Sequence, residues 1–176
     1  MKKSFLLLCF MLFPFVAMAS EVTPVNIVVV DIQQLMGASK AAKSIQSQSK
    51  SLRDKYQKQI TSIEKDLKKS EEKVIEAGKA GDKEAFMKAR KKFQTEVMES
   101  QKDLAELNSK LDKAVGVALN KLRDEIVEIV GDLSTDRGYD LVISRADVVI
   151  VSKEIDITAE VMKKLNSRLN TIKVKG

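Results

Sequence analysis

Gly37, Lys43 and Ser44 in "GASKAAKS" (37–44) fall in the register of a phosphate-binding loop, G-x-x-x-x-G-K-[ST]. Such a loop cradles phosphates with backbone N–H groups and places a Lys and a hydroxyl on the anion and its metal. Two features argue against it. Ala42 stands where the second glycine must let the backbone come close, and residues 32–36 separate the motif from the apolar run before it. No alternating strand–helix units follow to build a nucleotide-binding sheet. The segment reads instead as a helix start with Ser39 as N-cap. The chain has no His, and its one Cys is Cys9. His-based triads, cysteine nucleophiles and the usual zinc sites are therefore excluded. Glu71-Glu72 and Asp124-Glu125 lie among lysines in helical stretches and read as solvated pairs. No catalytic set, metal or cofactor is expected, and the chain reads as a binding or structural protein rather than an enzyme.

The elements that could position a binding surface begin after residue 19. Lys2 and Lys3 precede an apolar stretch at 5–16, and Ala17-Met18-Ala19 has the small-x-small form of a cleavage site. Residues 1–19 read as a secretory signal peptide cleaved after Ala19, which leaves 157 residues, about one domain. That remainder has no Cys and so no disulfide framework; packing alone must hold it. Its one proline is Pro24, which suits long uninterrupted helices.

"VNIVVVDI" (25–32) reads as a buried strand. From Ser39 a helix is expected, with apolar residues at 45, 52, 56, 60, 63, 67 and 74. This eleven-residue spacing, about 3.67 residues per turn, predicts a nearly straight helix. Gly78 fits its C′ end and Asp82 the next N-cap, so residues 78–81 read as the turn of an antiparallel hairpin. One continuous rod is the alternative. The second helix should run from Lys83 to about Arg137 and stop at Gly138, with a row from Phe86 through Phe93, Leu104, Leu111, Ala118, Leu122, Ile126, Ile129 and Leu133. Helices over 40–77 and 83–137 would span about 57 and 82 Å, so the surplus of the second must be buried elsewhere.

That place is a small body built from both ends of the chain. "YDLVI" (139–143) and "VVIVS" (148–152) read as strands, and 156–169 as a helix capped by Thr158 with Ile157 and Met162 as a staple. Residues 104–176 are apolar at 33 of 73 positions and residues 40–103 at 19 of 64, which puts the core at the base. The expected fold is α+β: a long antiparallel helical hairpin, residues 39–118 with its tip at 78–81, projecting from a β-rich oligomerisation body of 20–38 and 119–176. A thin sheet leaves unpaired edges. Ile27, Val28, Val29, Val30, Leu141, Val142, Ile143, Val149 and Ile150 are the residues expected to join subunits.

Charge is segregated along this frame. Residues 40–92 hold 16 basic and 8 acidic residues, whereas 93–140 hold 6 and 11. A positive arm attracts anionic partners: lipid head groups, lipopolysaccharide or acidic unfolded chains. No aromatic residues interleave with the cations, and with a signal peptide in front nucleic acid is not expected as a partner. Near the tip, Ile75, Phe86, Met87, Phe93 and Met98 accompany Lys88, Arg90, Lys91 and Lys92. Most of these apolar residues would form the seam; those facing outward would be soft, adaptable contacts for varied apolar partners.

Read in order, "VNIVVVDIQQLMGASKAAK", the Lys/Gln/Glu hairpin and "RGYDLVISRADVVIVSKEIDITAEVMKKLN" resemble the Skp (OmpH) family of periplasmic chaperones over essentially the whole chain after the signal peptide. The resemblance implies a periplasmic homotrimer with a β-rich body and three helical arms. Its arms would enclose unfolded outer-membrane proteins, without ATP. The alternatives are a coiled-coil spacer of the envelope, or a binder of lipopolysaccharide or an anionic membrane surface. No role is assigned to residues 170–176.

Spin labels at Leu67 and Phe93 test the hairpin. A turn puts them roughly 10–20 Å apart, a continuous rod about 40 Å.

Overall fold

The computed structural model describes residues 24–175. The expected signal peptide and its cleavage after Ala19 lie outside them. Strand β1, Ile27–Val30, is β-branched at all four positions, and Val28, Val29 and Val30 are buried. It stops at Asp31, whose carboxylate accepts from Gln34 N at 2.7 Å and caps a short helix α1, Ile32–Ala38. The strand thus ends before Ile32, where the extended reading of 25–32 ran on. Ser39 then serves two helices. Its N–H donates to Leu35 O at 3.3 Å to close α1, and its Oγ accepts from Ala42 N at 3.2 Å to open α2. Gly37, Lys43 and Ser44 therefore lie on helices, with no loop between them to cradle a phosphate.

Helix α2 runs Lys40–Ala80 and α3 runs Lys83–Arg137. The turn between them is Gly81-Asp82, two residues, rather than 78–81. Only Gly81 takes the left-handed conformation, with φ 74°. Gly78 stays helical, and a Cβ there would meet the Phe86 ring at 3.5 Å, ordinary contact, so neither backbone nor packing requires glycine. Asp82 Oδ1 accepts from Glu84 N and Ala85 N, both at 3.0 Å, as expected of the cap. Gly138, φ 65°, ends α3 where the sequence placed the stop.

The α2 seam follows the eleven-residue spacing from Ile45 to Leu67, and Ser49 is buried because its hydroxyl bonds Ile45 O at 2.7 Å. Beyond Leu67 the seam passes to Ser70, Val74 and Ala77, and Glu71 turns to water. That step from eleven- to seven-residue spacing keeps a charged group out of the interface.

At the base, β1 pairs in parallel with β2, Leu141–Ser144, in the register Ile27 to Leu141 through Val30 to Ser144. Parallel strands need a long crossover. Here the crossover is α1 and the whole arm, so the two feet of the hairpin are fixed together. Asn26 reinforces the closure: its N–H donates to Asp140 Oδ2 at 2.7 Å and its side chain to Gly138 O at 3.2 Å. On the other edge Val29 O accepts from Ile157 N at 2.9 Å. Helix α4, Thr158–Arg168, follows. Thr158 is not its cap, because its Oγ1 accepts from Asp31 N at 2.8 Å; Asp156 instead accepts from Thr158 N at 2.9 Å. Leu122, Ile126, Ile129 and Leu133 of α3 are fully buried in one cluster with Leu35, Ile45, Val161 and Leu165.

The third expected strand of the body, 148–152, does not form among the described residues. Residues 148–152 pair with no strand among the described residues, and two single 3₁₀ turns, Arg145–Asp147 and Lys153–Ile155, flank them. With no neighbour to pair, Val149 and Ile150 are 95% and 87% exposed. The acidic part of α3 meets α4. Arg168 reaches Glu128, Asp132 at 3.0 Å and Glu125 at 2.8 Å, the last a charge contact without hydrogen-bond alignment. The hydrogen bond to Glu128 raises the Arg168 pKa most, against partial loss of hydration, with the charges of Glu125 and Glu128 and the Asp132 hydrogen bond adding to it.

Urea unfolding tests the two glycines and the core row. Gly81→Ala should cost about 1–2 kcal/mol, since left-handed angles are poor for Ala. Gly78→Ala should stabilise by up to about 1 kcal/mol, since Ala is the better helix former and meets only ordinary contact. Leu122→Ala should cost about 2–5 kcal/mol as a core cavity. Val127→Ala, on the exposed face of the same helix, should stay within about 0.5 kcal/mol.

Candidate functional site

Near the tip the hairpin seam is narrow, taking only Ser70, Val74 and Ala77 from α2, so it hides only part of the apolar content there. Phe86 and Phe93 are half-buried in it, together with Val74, Ala77, Ala89 and Val97. Ile75 is half-exposed on α2, and Met87 and Met98 on α3 are 61% and 64% exposed. The sequence had left open which of these faced outward. Phe86 and Phe93 act as seam, and Ile75, Met87 and Met98 remain accessible.

Met87, Lys91, Gln94 and Met98 follow one another at i, i+4, i+7 and i+11 and so share a face of α3. Glu84, Met87, Lys88, Arg90, Lys91 and Gln94 line a shallow hollow there. Lys88, Arg90 and Lys91 make no ion pair among the described residues, whereas Lys92 lies 3.7 Å from Glu96. Two thioethers among three unpaired cations form a surface that is apolar and cationic at once. Flexible Met side chains fit irregular apolar shapes, and the cations add attraction to acidic ones.

The nine body residues separate by depth. Val28, Val29 and Val30 serve the chain's own core, and Val142 and Ile143 are half-buried. Ile27, Leu141, Val149 and Ile150 are exposed.

A second hollow was missed in the sequence. Lys110, Lys113, Ala114, Val117 and Lys121 of α3 line it with Thr171, Ile172, Lys173 and Lys175. Its signal was the spacing 110, 113, 114, 117, 121, a single face of the helix; the contribution of 171–175 had none. Among the described residues no group of three or more His, Cys, Asp or Glu could hold a metal ion, and no helix is long and apolar enough to cross a membrane.

Comparison with known proteins agrees with this architecture. A "Skp-like protein" of Pseudomonas aeruginosa is 28% identical over 153 residues, covering 85% of this chain and 89% of the relative. A crystal structure from Caulobacter crescentus, described as a candidate OmpH-like outer membrane chaperone, superposes with a TM-score of 0.78 at 14% identity, over 86% of this chain and 89% of that one. The family model for outer membrane protein (OmpH-like) matches residues 26–165, from the residue before β1 to Leu165 in α4. The strands, the arm and most of α4 all fall within that match, and the chain belongs to the OmpH-like outer membrane protein family.

Proposed function

We propose that this chain is an ATP-independent holdase of the periplasm that keeps unfolded outer-membrane proteins from aggregating, in a cavity between the arms of a homotrimer. The observation that carries the reading is the exposed Met87–Met98 face with its unpaired Lys88, Arg90 and Lys91, held on an arm by a base that does not need them. The described name of the structural neighbour, an outer membrane chaperone, points the same way. Residues 39–118 act as the arm and 20–38 with 119–176 as the body, and the exposed Ile27, Leu141, Val149 and Ile150 supply the contact between subunits.

The mechanism follows from magnitudes. A protein that releases its client without fuel needs contacts that are weak singly. Exposed charge pairs contribute at most about 1 kcal/mol each. Three arms acting on one flexible chain convert such contacts into useful affinity through effective concentration. Long-range attraction from the net-positive stretch 40–92 steers acidic clients in, and Met and Ile then hold apolar segments.

Light scattering checks this. A denatured outer-membrane β-barrel protein diluted from urea should scatter less in the presence of this chain, at about one trimer per client. Met87→Glu with Met98→Glu should leave the fold intact, both being exposed, and raise the concentration needed severalfold. Raising ionic strength from about 0.01 to 0.15 M shortens the screening length from about 30 to 8 Å and should slow capture. A capture rate indifferent to salt would remove the steering step, and undiminished scattering would remove the holdase.

A further inference from the structure

The segment 171–175 follows α4 and crosses the foot of the arm. Its burial alternates: Ile172 is buried and Val174 half-buried, whereas Thr171, Lys173 and Lys175 are exposed, the two-residue period of an extended strand. One edge is already paired. Gln48 Nε2 donates to Ile172 O at 2.7 Å, and Gln48 Oε1 accepts from Val174 N at 3.1 Å. These are the two bonds a neighbouring parallel strand would make, supplied by a side-chain amide. Residues 172 and 174 therefore use the edge toward α2, and Lys173 presents its N–H and C=O to the opposite edge. Neither Lys173 group has a partner among the described residues.

That open edge borders the hollow against α3. Ala114, Val117 and Ile172 form its floor, and Val117 is 69% exposed. Five lysines rim it. Lys110 lies 3.4 Å from Glu106, but Lys113, Lys121, Lys173 and Lys175 make no ion pair among the described residues. The row from Lys110 to Lys121 covers about 16 Å of helix, the length of about five extended residues. Cations spread along that length suit carboxylates on alternate residues; a single anionic head group would need them gathered at one end.

We propose that this groove binds an extended acidic–apolar peptide segment, added as a strand to the free edge of 171–175. Main-chain bonds to Lys173 would give affinity irrespective of sequence, and the lysine rim with the Val117 floor would select acidic segments interleaved with apolar ones. The proposal adds a subsite at the arm's root for the same class of partner and rests on the holdase reading.

The test is fluorescence anisotropy of a labelled peptide of about six residues, alternating Asp and Val, titrated with the full chain. Binding is expected. Replacing Asp by Lys in the peptide, N-methylating a central amide, or introducing Val117→Glu should each weaken it about tenfold or more, the equivalent of one good hydrogen bond or charge pair. Far-UV circular dichroism of V117E should match the parent, since Val117 is exposed. Equal binding of the acidic and basic peptides, of the N-methylated peptide, or by V117E would overturn the proposal. So would saturation by dodecanoate with no peptide binding, which would assign the groove to an anionic amphiphile. The two readings fail separately: suppressed aggregation without peptide binding sinks only the groove, and peptide binding without suppression sinks only the holdase.

Discussion

Burial of one short row, Leu122, Ile126, Ile129 and Leu133, is the constraint on which the rest depends. These residues lie on the last part of α3, at and past the level where the shorter α2, 41 residues against 55, begins. They receive Leu35 of α1, Ile45 of α2 and Val161 and Leu165 of α4, so three helices meet on one face of a fourth. The sheet could not stand alone: two four-residue strands make a marginal structure in water. Its role is closure. Parallel pairing of β1 with β2 ties the chain before the arm to the chain after it, and the row beneath supplies the apolar burial that makes the pairing worthwhile.

The arm obeys different physics. Away from the base its seam is half-buried at most positions, and it contains Ser49 and Ser70 among apolar residues. Such a seam orders two helices without consuming all their apolar groups. Charge is divided on the same plan. The acidic stretch of α3 is matched inside the molecule by Arg168 and Lys164 of α4, and Arg137 at its end pairs with Glu160. The cations of the tip and of the groove have few such partners. The unpaired positive charge thus sits where the protein has least internal use for it.

Much of this was legible because it depended on local chemistry. Ser39, Asp82 and Gly138 mark helix ends through caps and left-handed angles, and each falls where its residue type indicated. The long α3 row was visible from its period. Other features depended on contacts distant in sequence. Gly78 looked like a turn residue, but α2 runs on through it to Ala80 and the left-handed position falls on Gly81. Thr158 looked like a cap, but Asp31 claims its hydroxyl. Residues 148–152 have strand composition without a strand beside them in the chain, and composition cannot reveal whether the neighbour exists. The tip surface was legible as a set of residues and not as a face, because seam and outward positions differ by one step of the helix.

Native-state hydrogen exchange measures the division between base and arm most directly. Amides of residues 118–133 should exchange only through global unfolding, and their exchange free energy should fall in step with the unfolding free energy when Leu122→Ala is introduced. Amides of residues 70–95 should exchange by local opening, at lower free energy, and be unmoved by that substitution. Equal protection along the whole of α3, or a base that opens more readily than the tip, would contradict a structure anchored at its foot.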